Sequence, residues 1–504
     1  MVALAYTVAF DGIEARLVEV QCAISPGLPS FSVVGLPDKA VSEAKERVRA
    51  ALSAMAIALP SKRITVNLSP ADMPKEGSHF DLPIAISVLA ALEIIPRDAV
   101  ETTVALGELS LDGRLIAVIG ALPSAMAAAQ HGHALLCPKA CGAEAAWVGA
   151  TSVYAANSLA EVVRHFTGQQ PLPLAQAGEV VAEPALRDLR DVKGQERAKR
   201  ALEIAAAGRH HMLMIGSPGS GKSMLAARLP SILPPLSAPE ALETSMIHSL
   251  AGLLDEGGIS RMRPFREPHH TASMAAIVGG GKGAKPGEVS LAHNGVLFMD
   301  EFPEFPRTVL ETLRQPIETG DIVVARANAH IRYPCRFLLV AAANPCKCGY
   351  MTDPARACAR VPVCGDDYLG RISGPLMDRF DLRVEVPPVA WSDLDLPSTG
   401  DASETIAARV SAARAVQTRR YAGAQGVRVN AEAEGTLLED VATPDTEGRA
   451  LLQRVAERFG MSARGYHRVL RVARTIADLD GAASVARPHV AEAVSYRLAV
   501  GSKG

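Results

Sequence analysis

The chain has 504 residues, more than one ordinary domain, and a formal net charge of -2 at pH 7. That balance excludes a protein that is basic all over and holds nucleic acid through a global field, although a ring with basic residues on its inner surface alone remains compatible with it. Aromatic residues make up 4% of the chain, which argues against a broad aromatic platform for stacking bases, and eight cysteines in such a length do not make a disulfide scaffold.

The start, Met1-Val-Ala-Leu-Ala-Tyr6, lacks the basic residues and apolar core of a signal peptide, and no apolar stretch reaches a membrane span. A soluble, cytoplasmic protein without membrane contact is expected. Residues 1–168 alternate strand-like and helical patterns. Arg63 to Leu68 alternates with period two, and Ala40–Ala54 and Leu82–Leu92 read as helices. At Gly168 the composition turns to Pro, Gln and Gly without apolar periodicity, so 169–188 is a linker. An α/β segment occupies 189–390, a second linker 391–404, and a helical region 405–504, with helices over Thr405–Tyr421, Arg449–Arg458, Ala463–Asp478 and Pro488–Leu498.

Within the α/β segment, Gly216-Ser217-Pro218-Gly219-Ser220-Gly221-Lys222-Ser223 fits the P-loop pattern G-x-x-x-x-G-K-[ST]. The apolar run His211–Ile215 before it predicts a buried strand, and Met224–Leu229 after it a helix. Glycines let the backbone curl so that N–H groups face phosphate oxygens. Lys222 then reaches the β/γ-phosphates of ATP, and the Ser223 hydroxyl holds Mg²⁺. Hydrolysis needs more. The strand-like Gly295–Met299 ends in Asp300 and Glu301, the first placed to orient Mg²⁺ and the second to act as general base on the attacking water. The next apolar run, Phe337–Ala343, ends in Asn344, a polar side chain suited to sensing the γ-phosphate. Two arginines complete the set: Arg379 in Asp378-Arg379-Phe380-Asp381, expected to act on a neighbour's nucleotide, and Arg464, expected to sense the nucleotide of its own chain. Arg371 and Arg307 remain alternatives for the first role.

Cys346, Cys348, Cys358 and Cys364 follow Asn344 closely. Four thiolates suit a tetrahedral structural Zn²⁺ site, and four separate thiols are the alternative. His269-His270 suit the positioning of a loop better than a metal, and His210-His211 fit the base edge of a nucleotide or the surface. Cys22, Cys137, Cys141 and Cys335 read as ordinary thiols.

The ordered set resembles an AAA+ ATPase of the magnesium-chelatase-like branch, with an insertion between Lys222 and Asp300 and a hairpin, Asp321–Pro334, before Asn344. The strings Arg263–Ser273, Gly279–Gly281, Pro286–Gly295 and Ile372–Leu382 resemble the YifB/ComM family over nearly the whole chain. The resemblance implies a central α/β/α P-loop domain with a parallel sheet, a C-terminal helical lid, and a homohexamer. It further implies an ATP-driven DNA helicase or translocase of the kind associated with branch migration during natural transformation. DNA phosphates would then meet Arg261, Arg263, Arg266, Lys282, Lys285, Arg326 and Arg332 without sequence preference. A magnesium-chelatase motor subunit and a non-translocating assembly ATPase are the competing readings. Ile64–Gly77 and Gly107–Arg114 resemble the ribosomal-S5-like Lon protease domain. His79 stands where the nucleophilic serine belongs, Ser78 is shifted by one, and Gly120–Ala125 lacks the lysine base. A protease-like domain without protease activity follows, suited to oligomerisation or DNA guidance, and the magnesium-chelatase motor is not expected to carry it.

Overall fold

The structure, a computed structural model, describes residues 2–180, 186–254, 258–281, 284–326, 329–351, 355–389 and 400–498, with the side chains at 325, 326, 329 and 330 outside that description. Most of the second linker lies outside the described residues as well.

The N-terminal module is built on a seven-stranded mixed sheet. Its strands are β1 (Val2–Asp11), β2 (Glu14–Ser25), β3 (Ser30–Val34), β4 (Arg63–Ser69), β5 (Thr103–Ala105), β8 (Ala134–Pro138) and β9 (Val153–Ala156), in the order β3-β4-β2-β1-β5-β8-β9. A small separate hairpin pairs β6 (Glu108–Leu109) with β7 (Leu115–Ile116). Period-two alternation in β4 is real: Ile64, Val66 and Leu68 point inward, and their neighbours do not. Helix α1 (Lys39–Ala54) starts on Asp38, whose side chain accepts from the Val41 N–H, and α2 (Asp81–Ala91) is apolar on all sides and almost wholly buried. Both pack into the core formed by this sheet. The first linker is not free. Ala175 N–H donates to the Val153 carbonyl at 2.8 Å, so the segment covers the exposed edge of β9.

The central module has a five-stranded sheet in which every pairing is parallel. Its strands are β10 (Met212–Ile215), β11 (Phe265–Arg266), β14 (Val296–Met299), β17 (Leu338–Ala343) and β18 (Leu382–Glu385), in the order β11-β14-β17-β10-β18. Alternate residues feed two separate cores. Met212 and Met214 face one, and Leu213 and Ile215 face the other; β14 and β17 divide in the same way. Burial on both faces is why these strands read as continuous apolar runs in sequence. The two short strands β12 (Gly279–Gly280) and β13 (Lys285–Pro286) pair within the insertion, and β15 (Asp321–Arg326) with β16 (Ala329–Pro334) forms the expected hairpin.

Helices α7 (Ser403–Arg420), α8 (Thr446–Arg458), α9 (Ala463–Leu479) and α10 (Arg487–Leu498) form the C-terminal region, numbered after α3 (Ala121–Gln130), α4 (Glu196–Gly208), α5 (Lys222–Ala226) and α6 (Ala238–Ala251). Their apolar stripes, including Ile406, Val410, Leu452, Val469 and Ile476, merge with one core of the central sheet. The N-terminal module docks on the insertion helix α6, where Glu144 accepts from Ser249 Oγ and from the Leu122 N–H. Burial raises the Glu144 carboxyl above its ordinary range. No helix among the described residues is long and apolar enough to cross a membrane.

Candidate nucleotide site and its surroundings

The register of the parallel sheet brings the predicted residues together. Ile215 lies beside Ala343, and Met299 beside Ala341, so the residues that follow these strands emerge at one edge. These are Gly216, Asp300 and Asn344. Gly216 N–H donates to the Ala343 carbonyl at 3.2 Å. A Cβ at Gly216 would lie 2.2 Å from the Val386 carbonyl oxygen, so that position admits only glycine. Gly219 (φ 77°) and Gly221 (φ 96°) are different cases: space is open around them, and the left-handed backbone is what requires glycine.

Lys222 crosses the mouth of the loop. Its Nζ donates to the carbonyls of Gly216 (2.8 Å) and Ser217 (2.9 Å) and to Asn344 Oδ1 (3.3 Å). Burial lowers its pKa, opposed by the nearby Asp300 and Glu301 carboxylates. Ser223 Oγ donates to Asp300 Oδ2 at 2.6 Å, and Asp300 Oδ1 accepts from the Glu301 N–H at 2.8 Å. Glu301 itself sits at φ 50°, a conformation that costs a non-glycine residue energy and is found mostly where surroundings impose it. Lys222–Asn344 and Ser223–Asp300 thus form two polar pairs side by side, with Glu301 attached to the second through its backbone.

One member of the site reads in sequence only as part of a positioning loop. His270 Nδ1 lies 3.1 Å from Glu301 Oε2, and its ring packs against His269 at 4.2 Å, tilted by 32°. The loop reaches Glu301 because β11 pairs in parallel with β14. Glu267 on the same loop has its carboxyl raised by burial and by Asp300.

The arginines make no contact with the P-loop of their own chain among the described residues. Arg379 is buried, donating to the carbonyls of Arg314 (3.2 Å) and Pro375 and pairing with Glu318. Arg371 pairs with Glu304 at 2.9 Å. Arg464 lines a cleft of about 640 Å³ with Arg209, Arg336, Arg468 and Arg471. His211 and Phe337 also line it, which puts the cleft at the beginnings of β10 and β17, the opposite edge of the sheet from the P-loop. Arg464 is therefore not brought to the nucleotide site of its own chain.

The histidines before β10 are not at that site either. His210 is fully buried, bonded to Thr475 Oγ1 at 2.7 Å, and His211 Nδ1 accepts from the Leu339 N–H at 3.0 Å.

The zinc expectation finds no support. Among the described residues no group of three or more such side chains is arranged to hold a metal ion. Cys346 and Cys348 sulfurs are 3.0 Å apart, closer than the roughly 3.8 Å that tetrahedral ligation with bonds of about 2.3 Å requires. The four thiols nevertheless meet: Cys348 is hydrogen-bonded to Cys346 and Cys358, and Cys364 to Cys358 and Cys346. Gly349, in the same loop, packs on Pro218 of the P-loop, so the segment braces the nucleotide site. Cys22, Cys137, Cys141 and Cys335 are buried core thiols, as expected.

Several expected phosphate contacts are structural. Arg263 donates to the carbonyls of Pro234 and Asn294, both at 2.7 Å, and pairs with Glu240; Arg266 pairs with Glu288 at 2.6 Å. Arg261 donates to the Leu236 carbonyl. Arg332 and Lys285 are exposed, Lys282 lies outside the described residues, and Arg326 ends β15 at the hairpin tip. In the N-terminal module His79 is buried, its Nε2–H donating to the Val8 carbonyl at 2.9 Å, and burial holds its pKa down to about 4. Lys75, a lysine of the same turn that motif reading overlooks as a base, is also buried and donates to the Pro70 carbonyl.

A family model described as magnesium chelatase, subunit ChlI, matches residues 188–394. One described as subunit ChlI of Mg-chelatase matches 18–141, and one for the C-terminal part of that subunit matches 400–497. Fold and site together define a magnesium-chelatase-like AAA+ protein, and the N-terminal module also falls under a chelatase-subunit description. The Competence protein ComM of Haemophilus influenzae is 44% identical over 508 residues, 99% of this chain and 98% of that protein. YifB of Escherichia coli is 42% identical over 497 residues, covering 98% and 96%. The magnesium-chelatase 38 kDa subunit of Rhodobacter capsulatus is 27% identical over 331 residues, covering 61% of this chain and 86% of that one. The chain belongs to the YifB/ComM family.

Proposed function

We propose that this protein is an ATP-dependent DNA translocase or helicase. It promotes branch migration while incoming DNA recombines during natural transformation, working as a homohexamer in the cytoplasm. The observation that carries the reading is the placement of the Lys222–Asn344 and Ser223–Asp300 pairs together at one sheet edge. The full-length likeness to a protein named for competence supports the DNA role.

The residues fit MgATP. The left-handed glycines leave the loop open for a phosphate chain, and triphosphate oxygens take over Lys222 from the loop carbonyls. Ser223 and Asp300 would hold Mg²⁺, which would supply positive charge to offset the phosphate charge. Glu301 takes the proton of the attacking water, and Asn344 orients that water against the γ-phosphate. Arg379 and Arg464 serve the nucleotide of a neighbouring chain, the latter from the arginine-lined cleft. Arg326 and Arg332 meet DNA phosphates, whereas Lys285 lines a cleft whose rim is mostly acidic. The N-terminal module, 1–168, supports assembly or guides DNA and is not a protease.

A forked duplex tests this directly: ATP-dependent strand displacement by the wild type, and none by Lys222→Ala, is the expected result. ATPase activity indifferent to single-stranded and branched DNA would sink the DNA role. The family descriptions favour one further reading, a magnesium-chelatase motor. Stimulation by a porphyrin-binding partner with no response to DNA would select it.

A further inference from the structure

A cleft of about 690 Å³ lies where the N-terminal module meets the β15–β16 hairpin. Its floor is apolar: Phe10, Met73, Val118 and Ile119 from the N-terminal module, and Ile331 from β16. Gly12 fixes this junction, because a Cβ there would lie 2.3 Å from the Arg332 carbonyl oxygen. The rim is acidic, with Asp11, Asp38, Asp72 and Glu76 against Arg16 and Lys285. Arg16 already pairs with Asp11 at 2.8 Å, whereas Asp72 makes no hydrogen bond or close ion pair among the described residues and acts at longer range on the buried Lys75 amine, whose pKa its charge raises.

The backbone of one wall supplies the second half of the argument. Val118 is tied to Cys141: its N–H donates to Sγ at 3.5 Å, and the thiol donates back to its carbonyl at 3.4 Å. Ala117 and Ile119, on either side, make no backbone hydrogen bond to any described residue. Ala117 follows β7 and Ile119 lies at a bend, so their N–H and C=O groups are open to bonds from an occupant. The unpaired groups are those an added strand takes up. Ile116 and Ile119 stand exposed beside them.

We propose that this cleft docks an extended polypeptide segment in which basic and apolar side chains alternate. The volume suits such an occupant. Apolar side chains cover the floor, basic ones meet the rim, and main-chain bonds form with Ala117 and Ile119. The acidic rim repels DNA phosphate, so the occupant is protein. Docking goes without cleavage, since His79 and Lys75 are both turned into carbonyls of their own module. Because Ile331 forms part of the floor, an occupant touches the same hairpin whose tip carries Arg326.

The test uses the full chain and a fluorescein-labelled decapeptide alternating Lys and Leu, read by fluorescence anisotropy. Saturable binding is expected, weakened at least about tenfold by Ile119→Asp and by Asp72→Lys, with no binding of a Glu/Leu decapeptide. Both variants should keep the wild-type ATPase rate and melting curve. Equal binding of the two peptides, or binding unchanged in both variants, overturns the proposal. So does a change of oligomeric state in the variants without peptide binding, which would make the cleft a contact between copies.

Discussion

Arg468 on α9 donates to Asp381 Oδ1 at 2.6 Å, and the same Nη1 donates to the Arg379 carbonyl at 2.9 Å. The C-terminal helices are thereby fastened to the Asp378–Asp381 string that leads into β18. Burial opposes the Asp381 charge, and Arg468, His210 and His211 more than reverse that, so the carboxyl ionises well below its ordinary range. A depressed carboxylate stabilises the fold above its unfolded pKa, about 3.9, and the contribution is lost as pH falls below that value. The melting temperature should show no slope from this group between pH 5 and about 8, and should drop below about pH 4. Asp381→Asn should cost about 3–5 kcal/mol at pH 7, because Arg468 is left buried without its counter-ion. Calorimetry of both proteins across pH checks this; equal melting at pH 7 contradicts it.

The thiols of this chain differ sharply in acidity. Hydrogen bonding from Cys346, and then from the Tyr350 backbone, brings exposed Cys348 down to about 7, while burial pushes Cys22 up to about 12 and Cys141 to about 11. The thiolate is the nucleophile. Brief iodoacetamide treatment at pH 7.5 should therefore label Cys348 well before Cys22 or Cys141, with a rate rising through about pH 7. Peptide mass mapping reads it out. A rise centred near the ordinary thiol value would show that the Cys346 contact does not operate in solution.

Much of this architecture is legible in the residues, for a physical reason. β10, β14 and β17 are buried on both faces, so each is an unbroken apolar run; β14 and β17 lead into Asp300 and Asn344, and β10 into Gly216 of the P-loop. What escapes is set by distant pairing. Arg263 and Arg266 read as loop arginines because Glu240 and Glu288 are far off in sequence, yet the fold closes both pairs. The His270–Glu301 contact depends on β11 lying parallel to β14, which no local pattern announces. Cysteine spacing similarly carries no information on sulfur–sulfur distance, and Arg464 opens an amphipathic helix wherever that helix packs.

Asp300 and Glu301 are neighbours with different partners, which separates their substitutions. Asp300 joins Ser223, so Asp300→Asn should weaken Mg²⁺-dependent binding of ATP as well as turnover. Glu301 reaches Asp300 only through its N–H, so Glu301→Gln should bind ATP normally and lose about 10²–10⁴ in kcat. Titration with a fluorescent ATP analogue beside steady-state ATPase assays distinguishes them. Equal loss of binding in both variants would remove Glu301 from the role of base.

Arg464 allows a test that separates one chain from its neighbour. It lines the cleft at the beginnings of β10 and β17, while Lys222 and Asp300 lie at the other edge of the same sheet. Arg464→Ala and Glu301→Gln should each be inactive alone. Mixed in one ring, they give different results under the two geometries. If Arg464 serves a neighbour, some interfaces combine the intact Glu301 of one subunit with the intact Arg464 of the other, and ATPase activity returns. If it serves its own chain, every site carries one lesion, and the mixture stays as inactive as its parts. The arrangement of the cleft leads us to expect recovery, with a maximum near equal proportions of the two variants.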